Sequence, residues 1–127
     1  MNSSEWFTSL IVKGGEKMGR NPETDIQDDI RLALSKTCVI FRTNVGGFYT
    51  EYGGFISTGL PDGFPDLFGF RKRDGKAVFI EVKTAKGVVQ DNQIHFMEVM
   101  DGYDVLHGIA RSVEEAEEIV EGESDGT

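Results

Sequence analysis

The stretch from Asp66 to Thr84, "DLFGFRKRDGKAVFIEVKT", limits the possible folds of this chain more than any other. Two runs rich in branched and aromatic residues flank Asp74-Gly75, a dipeptide that favours the tight turn of a β-hairpin. Side chains alternate along a strand. Ile80, Val82 and Thr84 therefore fall on one face, and Glu81 and Lys83 on the other. Pairing around the turn sets the start of the first strand beside the end of the second, so Asp66 is expected close to Glu81 and Lys83 at one end of a sheet. Two carboxylates meeting there repel each other unless a cation lies between them. Mg2+ suits such a place, because it takes one or two carboxylates and fills its shell with water and phosphate oxygens. A lysine beside it can hold a water and offset charge on a phosphate. The pattern points to metal-assisted hydrolysis of a phosphate ester. An isolated Glu-x-Lys in a strand is more commonly a pair of solvated residues on an open sheet face, so the neighbouring elements decide.

Upstream, "NPETDIQDDIRLALSK" predicts an amphipathic helix. Asn21 can cap it, Pro22 suits its first position, and Glu23 and Asp25 favour the positive end of its dipole. Ile26, Ile30, Ala33 and Leu34 recur at helical spacing. "TCVIFRTN" predicts a strand over residues 38–44. The glycine- and aromatic-rich "VGGFYTEYGGFISTGLPDGFP" reads as a long connection, and long connections in compact domains are commonly functional. After the hairpin, "VQDNQIHFMEVMDGY" predicts a helix with Ile94, Met97, Val99 and Met100 inward. "DVLHGIAR" predicts a strand. "SVEEAEEIVEG" predicts a short helix capped by Ser112, with Glu115 placed for a capping box and Gly122 as the stop. The expected order is α-β-β-β-α-β-α, an α/β fold with a mixed β-sheet of about four strands flanked by helices. We divide the chain into an N-terminal segment 1–20, a domain over 21–121 and an acidic tail 122–127.

At 127 residues the chain has room for one buried core. No apolar run approaches the roughly 18 residues of a membrane span. "MNSSEWFTSLIVKGG" has no basic stretch ahead of its apolar patch, which argues against a signal peptide. The single cysteine, Cys38, suits a reducing cytosol and is expected as a small buried apolar residue. A net charge of −9 speaks against nucleic acid as a partner. Much of that charge is C-terminal: residues 114–127 hold seven acids and no Lys or Arg, and the remainder has 15 acids against 13 bases. Any DNA contact must then rest on local basic patches or on metal ions.

"PD" at 65–66, "EVK" at 81–83 and the helix residue Gln93 resemble the PD-(D/E)XK nucleases. The longer string "GLPDGFPDLFGF…FIEVKTAKGVVQDNQIHFMEVM…GYDVLHGIARSVEEA" is similar to the VRR-NUC family within that superfamily, and "PETDIQDDIRLAL" and "FRTNVGGFY" fit its opening helix and first strand. The resemblance implies a restriction-endonuclease-like core and a phosphodiesterase dependent on Mg2+ or Mn2+. Asp66 and Glu81 would bind the metal, with the Val82 backbone carbonyl as a further ligand. Lys83 would position the attacking water, and Gln93 would support the site. Glu23 matches the family's helix glutamate, which often completes the metal site; a first-turn acid favoured by the helix dipole explains it equally well. Gln27 can also face the site. Asp62 departs from the pattern, since related sequences often carry Lys there.

Stand-alone family members resemble Holliday-junction resolvases, implying a homodimer acting on branched DNA in the cytoplasm, in a bacterial host if the chain is phage-encoded. Two other readings stay open: the same fold acting on flap, nicked or single-stranded DNA, and a non-catalytic interaction module. Arg42 and Lys86 are the expected DNA contacts. Arg71, Lys72 and Arg73 read as a solvated charge cluster around a turn. Phe48, Tyr49, Tyr52 and Phe55 read as packing of the long connection against the body, with base stacking as the alternative. His95 is expected on a helix surface and His107 in a strand, with no zinc-site context.

Overall fold

The computed structural model describes residues 22–122. The Asn21 cap, the segment 1–20 and the tail beyond Gly122 lie outside the described residues. The elements are α1 (Pro22–Leu34), β1 (Cys38–Arg42), β2 (Gly47–Tyr49), β3 (Phe55–Ser57), β4 (Leu67–Arg71), β5 (Ala77–Val82), α2 (Asp91–Met100), β6 (Leu106–Ala110) and α3 (Val113–Glu121).

The main sheet has the order β1-β4-β5-β6. β1, β4 and β5 run antiparallel, and β6 pairs parallel to β5. This is the expected mixed α/β arrangement, consistent with a restriction-endonuclease-like fold. The β4–β5 hairpin turns where the sequence places it. Gly75 adopts φ +76°, a conformation open to glycine without strain, and its amide donates to the Arg71 carbonyl at 2.7 Å.

One sheet face is packed by α1 and α3. Ile30 and Leu34 from α1 and Ala116 and Val120 from α3 close over Leu67, Val78, Ile80, Val82, Leu106 and Ala110. Cys38 joins this core as expected and is buried. Burial pushes its thiol above the usual thiol range. Between β1 and β4 the strands approach so closely that a Cβ at Gly69 would fall onto the Val39 carbonyl. The opposite face carries Phe68 and Phe79, which join Phe64 and Phe96 in edge-to-face and tilted contacts at centroid separations of 5.0–6.2 Å. Helices thus flank both faces, with α2 held by Phe96.

Four details differ from expectation. First, the connection after β1 is not structureless: β2 and β3 form a separate antiparallel ribbon, with Phe48 opposite Ile56 and Tyr49 opposite Phe55. Its aromatics do not pack on the body. Phe48 is 55%, Tyr49 77%, Tyr52 91% and Phe55 58% exposed, because the ribbon joins only itself and offers no face to the core. Second, α2 turns Phe96 inward and leaves Ile94 and Val99 exposed. Gln93, Phe96, Met97 and Met100 share one side at helical spacing, and Gln93 fixes which side by reaching Glu81.

Third, Arg71 is not solvated. It is 5% exposed, donates to Asp74 through Nε at 3.1 Å and Nη2 at 2.6 Å, and donates through Nη1 to the Val120 carbonyl at 2.6 Å. The guanidinium fork thereby ties the hairpin turn to the end of α3, and it holds the Asp74 carboxyl down at about 2. Lys72 likewise reaches back, its ammonium 2.8 Å from the Ser35 carbonyl. Lys72 and Arg73 both stay exposed. Fourth, Ser112 caps α3 by accepting from the Glu115 amide at 3.2 Å, but the Glu115 carboxylate accepts from the Arg111 amide at 2.7 Å and not from the cap itself. Gly122 ends the helix at φ −57°, with no left-handed turn.

Candidate metal and phosphodiester site

At one end of the sheet the register that pairs Leu67 with Ile80 brings the residues before and after them together. Asp66 lies just ahead of β4, and its Oδ2 accepts from the Val82 amide at 3.0 Å. Glu81 lies in β5 on the face away from α1. It is 2% exposed, so a carboxylate has been placed where an apolar side chain would be expected. Lys83 follows directly after β5 and is 8% exposed. Its amide continues the parallel ladder to the Ala110 carbonyl at 3.0 Å, and its ammonium stands 3.5 Å from Glu81 Oε2.

Gln93 completes the arrangement from α2. Its Nε2 donates to Glu81 Oε2 at 2.8 Å, and its Oε1 accepts from the Gln90 amide at 2.9 Å. One side chain therefore caps its own helix and fixes the carboxylate. The two oxygens of Glu81 are treated differently. Oε2 has the amide of Gln93 and the ammonium of Lys83, whereas Oε1 is buried with no hydrogen-bond partner. Burial first, and then the negative charge of Asp66, push the Glu81 carboxyl up to about 8, with Lys83 opposing. A proton on Glu81 would be held by a hydrogen bond to Asp66.

Glu23, in the first turn of α1, points at the same end. Its carboxyl is raised by burial and by Asp66 and lowered by Lys83. Gln27, one turn further, is 5% exposed with an unpartnered buried Oε1. Val82 brings a fully buried side chain on the helix face and a backbone amide already committed to Asp66. Lys86 is exposed in the following loop. Arg42 ends β1, exposed, and lines a cavity together with Asp66. Asp62 lies exposed in the connection ahead of β4. The histidines stand elsewhere: His95 is exposed on α2, and His107 of β6 lies 2.6 Å from Asp101 Oδ1.

Three contributors escape a reading of the sequence. Arg111 donates through Nη1 to the carbonyls of Thr84 at 2.6 Å and Gly87 at 2.8 Å, holding the loop that carries Lys86. The Thr43 hydroxyl donates to the Pro65 carbonyl at 2.6 Å and its amide to the Asp66 carbonyl at 2.8 Å, fixing the backbone of the site aspartate. Arg31 holds Asp28 at 4.0 Å, yet its Nε is buried with no hydrogen-bond partner. Arg111 and Thr43 have no local signal, since their partners are distant in the chain and meet them only once the strands pair; Arg31 and Asp28 are a helical i,i+3 pair whose burial is set by the fold.

The donor set suits a hard divalent cation. Two carboxylates share the site, and an oxygen of one is buried without a donor, as expected of a metal-facing oxygen. Among the described residues no three His, Cys, Asp or Glu side chains converge closely enough to cage an ion. The cation would take few protein ligands and leave the rest of its shell to water or phosphate, which is the habit of Mg2+ and not of a structural metal.

A mixed sheet flanked by helices, with two carboxylates and a lysine about its central hairpin, is an α/β architecture consistent with the restriction-endonuclease-like class. Comparison with family models makes this more specific: residues 55–114 match the VRR-NUC domain. The matched segment holds Asp66, Glu81, Val82, Lys83, Lys86 and Gln93; Glu23 and Arg42 lie before it. A VRR-NUC domain implies a nuclease-type function and DNA as the partner. No curated protein and no solved structure matched the chain. Among the described residues no helix is long and apolar enough to cross a membrane.

Proposed function

We propose that the chain is an endonuclease dependent on Mg2+ or Mn2+, hydrolysing phosphodiester bonds in branched DNA such as four-way junctions. The single observation that carries the reading is Glu81: a carboxylate 2% exposed, set against a second carboxylate, with one oxygen left without a partner. Removing an ionised group from water costs several kcal/mol, and Gln93 and Lys83 offset that only at Oε2.

Asp66 and Glu81 would hold the cation, with the Val82 carbonyl as a further ligand; Glu23, raised by burial and by Asp66, stands at the same end and would act through the water of the ion's shell. When bound, the cation polarises the phosphoryl oxygen and makes bound water more acidic. Lys83 donates to the attacking water and offers positive charge to the phosphate. Gln93 keeps Glu81 in one rotamer by occupying Oε2, so that Oε1 remains available. Arg42 and Lys86 attract the DNA backbone and set its register. A homodimer would present two such sites, matching the two-fold symmetry of a four-way junction.

The test compares a four-way junction, a linear duplex and a flap in Mg2+, Mn2+ and EDTA, with Glu81→Ala as the control. Junction cleavage that needs a divalent cation and is lost in Glu81→Ala is the expected result. Equal cutting of linear duplex would remove the branch selectivity. Calorimetry showing the same Mg2+ uptake by both proteins would remove the metal role.

A further inference from the structure

Beside Asp66 lies a cavity of about 540 Å3, open to solvent. One wall is the end of β1 and its extension, with Arg42, Thr43 and Asn44; the other is the foot of the β2–β3 ribbon, with Phe48 and Thr58. The volume falls within the range of small-molecule pockets, about 300–1,000 Å3. The walls are held firmly. Thr43 is clasped to Pro65 and Asp66, and the amide of Thr58 donates to the Gly46 carbonyl at 2.9 Å to close the ribbon.

Two features of these walls ask for a ligand. Phe48 is 55% exposed at the cavity, in a ribbon whose other aromatics are also exposed. An aromatic face left in water is a platform for a nucleobase. The second feature is exposed positive charge at the cavity wall. Arg42 is exposed at the cavity, and behind it Arg31 has a buried, unpartnered Nε. Burial bears hardest on the Arg31 guanidinium, Asp28 supports it, and the like charge of Arg42 opposes it. Arg42, with Asp28 already serving Arg31, is the guanidinium left facing the cavity, where a phosphate can reach it.

We propose that this cavity seats one unpaired deoxynucleotide next to the scissile phosphate, with Arg42 on the nucleotide's own phosphate and Phe48 against its base. The proposal rests on the nuclease reading above and adds to it the class of DNA: a strand with an unstacked nucleotide, as at a branch point. Asn44 and Thr58 supply polar groups at the rim. The seat lies ahead of the segment matching the family model except for Thr58 and Asp66.

The probe is a four-way junction carrying 2-aminopurine at the branch point, with Ca2+ replacing Mg2+ so that the DNA stays whole. The native chain is expected to quench the 2-aminopurine. Phe48→Leu should lose the quenching and bind about tenfold more weakly, and Phe48→Tyr should restore both. Arg42→Gln should weaken binding and reduce its salt dependence by about one phosphate contact. Phe48 is exposed, so these variants should fold like the native chain, with circular dichroism as the check. Native-like quenching and affinity in Phe48→Leu would overturn the seat. So would conversion of a dimer to a monomer by Phe48→Leu in sedimentation, which would make the ribbon a self-association surface. Cleavage is read in parallel in Mg2+. If Phe48→Leu behaves as native while cutting still depends on Glu81, the seat falls and the nuclease reading stands. Quenching by a native chain that cuts nothing in Mg2+ or Mn2+ supports the base platform and removes the nuclease reading alone.

Discussion

Glu81→Gln should stabilise the metal-free protein, and by an amount that depends on pH. The substitution keeps the shape of the side chain and removes its ionisation. In the native chain the carboxyl is raised from 4.5 to about 8, first by burial and then by Asp66. The unfolded chain ionises it near the ordinary value. The folded state therefore binds more protons between those two values, and its stability falls as pH rises. The contribution is fully present below about pH 4.5 and is lost as pH climbs through 8.

At 1.36 kcal/mol for each pH step the full span is roughly 5 kcal/mol. Solvent at the open end of the site screens part of that, and about 2 kcal/mol is the expected observable. For a domain of this size that is about 10 °C in melting temperature. The assay is thermal melting in EDTA at pH 4.5, 6, 7 and 8 for the native chain and Glu81→Gln. The difference between them should grow with pH and level off above 8. Subtracting one protein from the other removes every contribution the two have in common. Added Mg2+ should reverse the ranking at pH 8 by stabilising the native chain alone, because ion uptake displaces the proton. Parallel pH profiles in EDTA would refute the reasoning, since they would mean that the carboxyl at 81 ionises as freely as in water and no repulsion is stored beside Asp66.

Other perturbations test the supports. Gln93→Ala removes both a helix cap and the donor to Glu81; the expected results are a loss of about 1 kcal/mol in thermal melting and a fall of about 10–100-fold in Mg2+ affinity by calorimetry. Gly69→Ala should force β1 and β4 apart and lower stability by about 1–3 kcal/mol or more, read by chemical denaturation; native-like stability would mean that the strands are not so close. Arg71→Met should release the end of α3, seen as faster amide exchange at Val120 and Glu121 with little change in Mg2+ affinity. In the same variant Asp74 should return to its ordinary carboxylate range, shifting acid sensitivity from the interval near pH 2 towards pH 4 by NMR titration.

The sequence made the hairpin legible because its two signals agree: alternation fixes faces, and Asp74-Gly75 fixes register. Once both are set, Asp66, Glu81 and Lys83 must meet at one end, whatever the rest of the chain does. The β2–β3 ribbon was illegible for the opposite reason. "GFY" and "FIS" are too short for alternation to show, and their glycine surroundings read as loop. The inward side of α2 was misjudged because apolar residues occur all round the helix, and the choice among them is made by a polar one. Arg71 was misjudged because a run of three basic residues looks the same whether its first member is solvated or buried. Only the carbonyls at the end of α3, some fifty residues later, decide it.

Among the described residues, the four buried polar side chains at core positions divide in a way that bears on function. Arg71 sits at the end of β4 far from Asp66, and its polar atoms are bonded to Asp74 and to the carbonyls of α3. Gln27, Glu81 and Lys83 are the other three. Glu81 and Lys83 belong to the proposed metal end, with Gln27 one turn in from Glu23, and that group retains two unpartnered buried oxygens. Burying a polar group without a partner costs about 1–3 kcal/mol. A fold assembled only for stability would spread such expense or fill those places with apolar side chains, as it does at Val78 and Ile80. Here one end of a single sheet is fully satisfied and the other is left short of a positive charge. On the proposed reading a divalent cation would meet the deficit at Glu81 Oε1, while the Arg71 clamp keeps the far end of the hairpin fixed. The two ends should respond oppositely to chelation: EDTA should loosen amide exchange around Val82 and Lys83 and leave it unchanged at Arg71 and Val120. Uniform loosening along the hairpin would mean that the cation acts on the whole fold and that the division drawn between its ends is wrong.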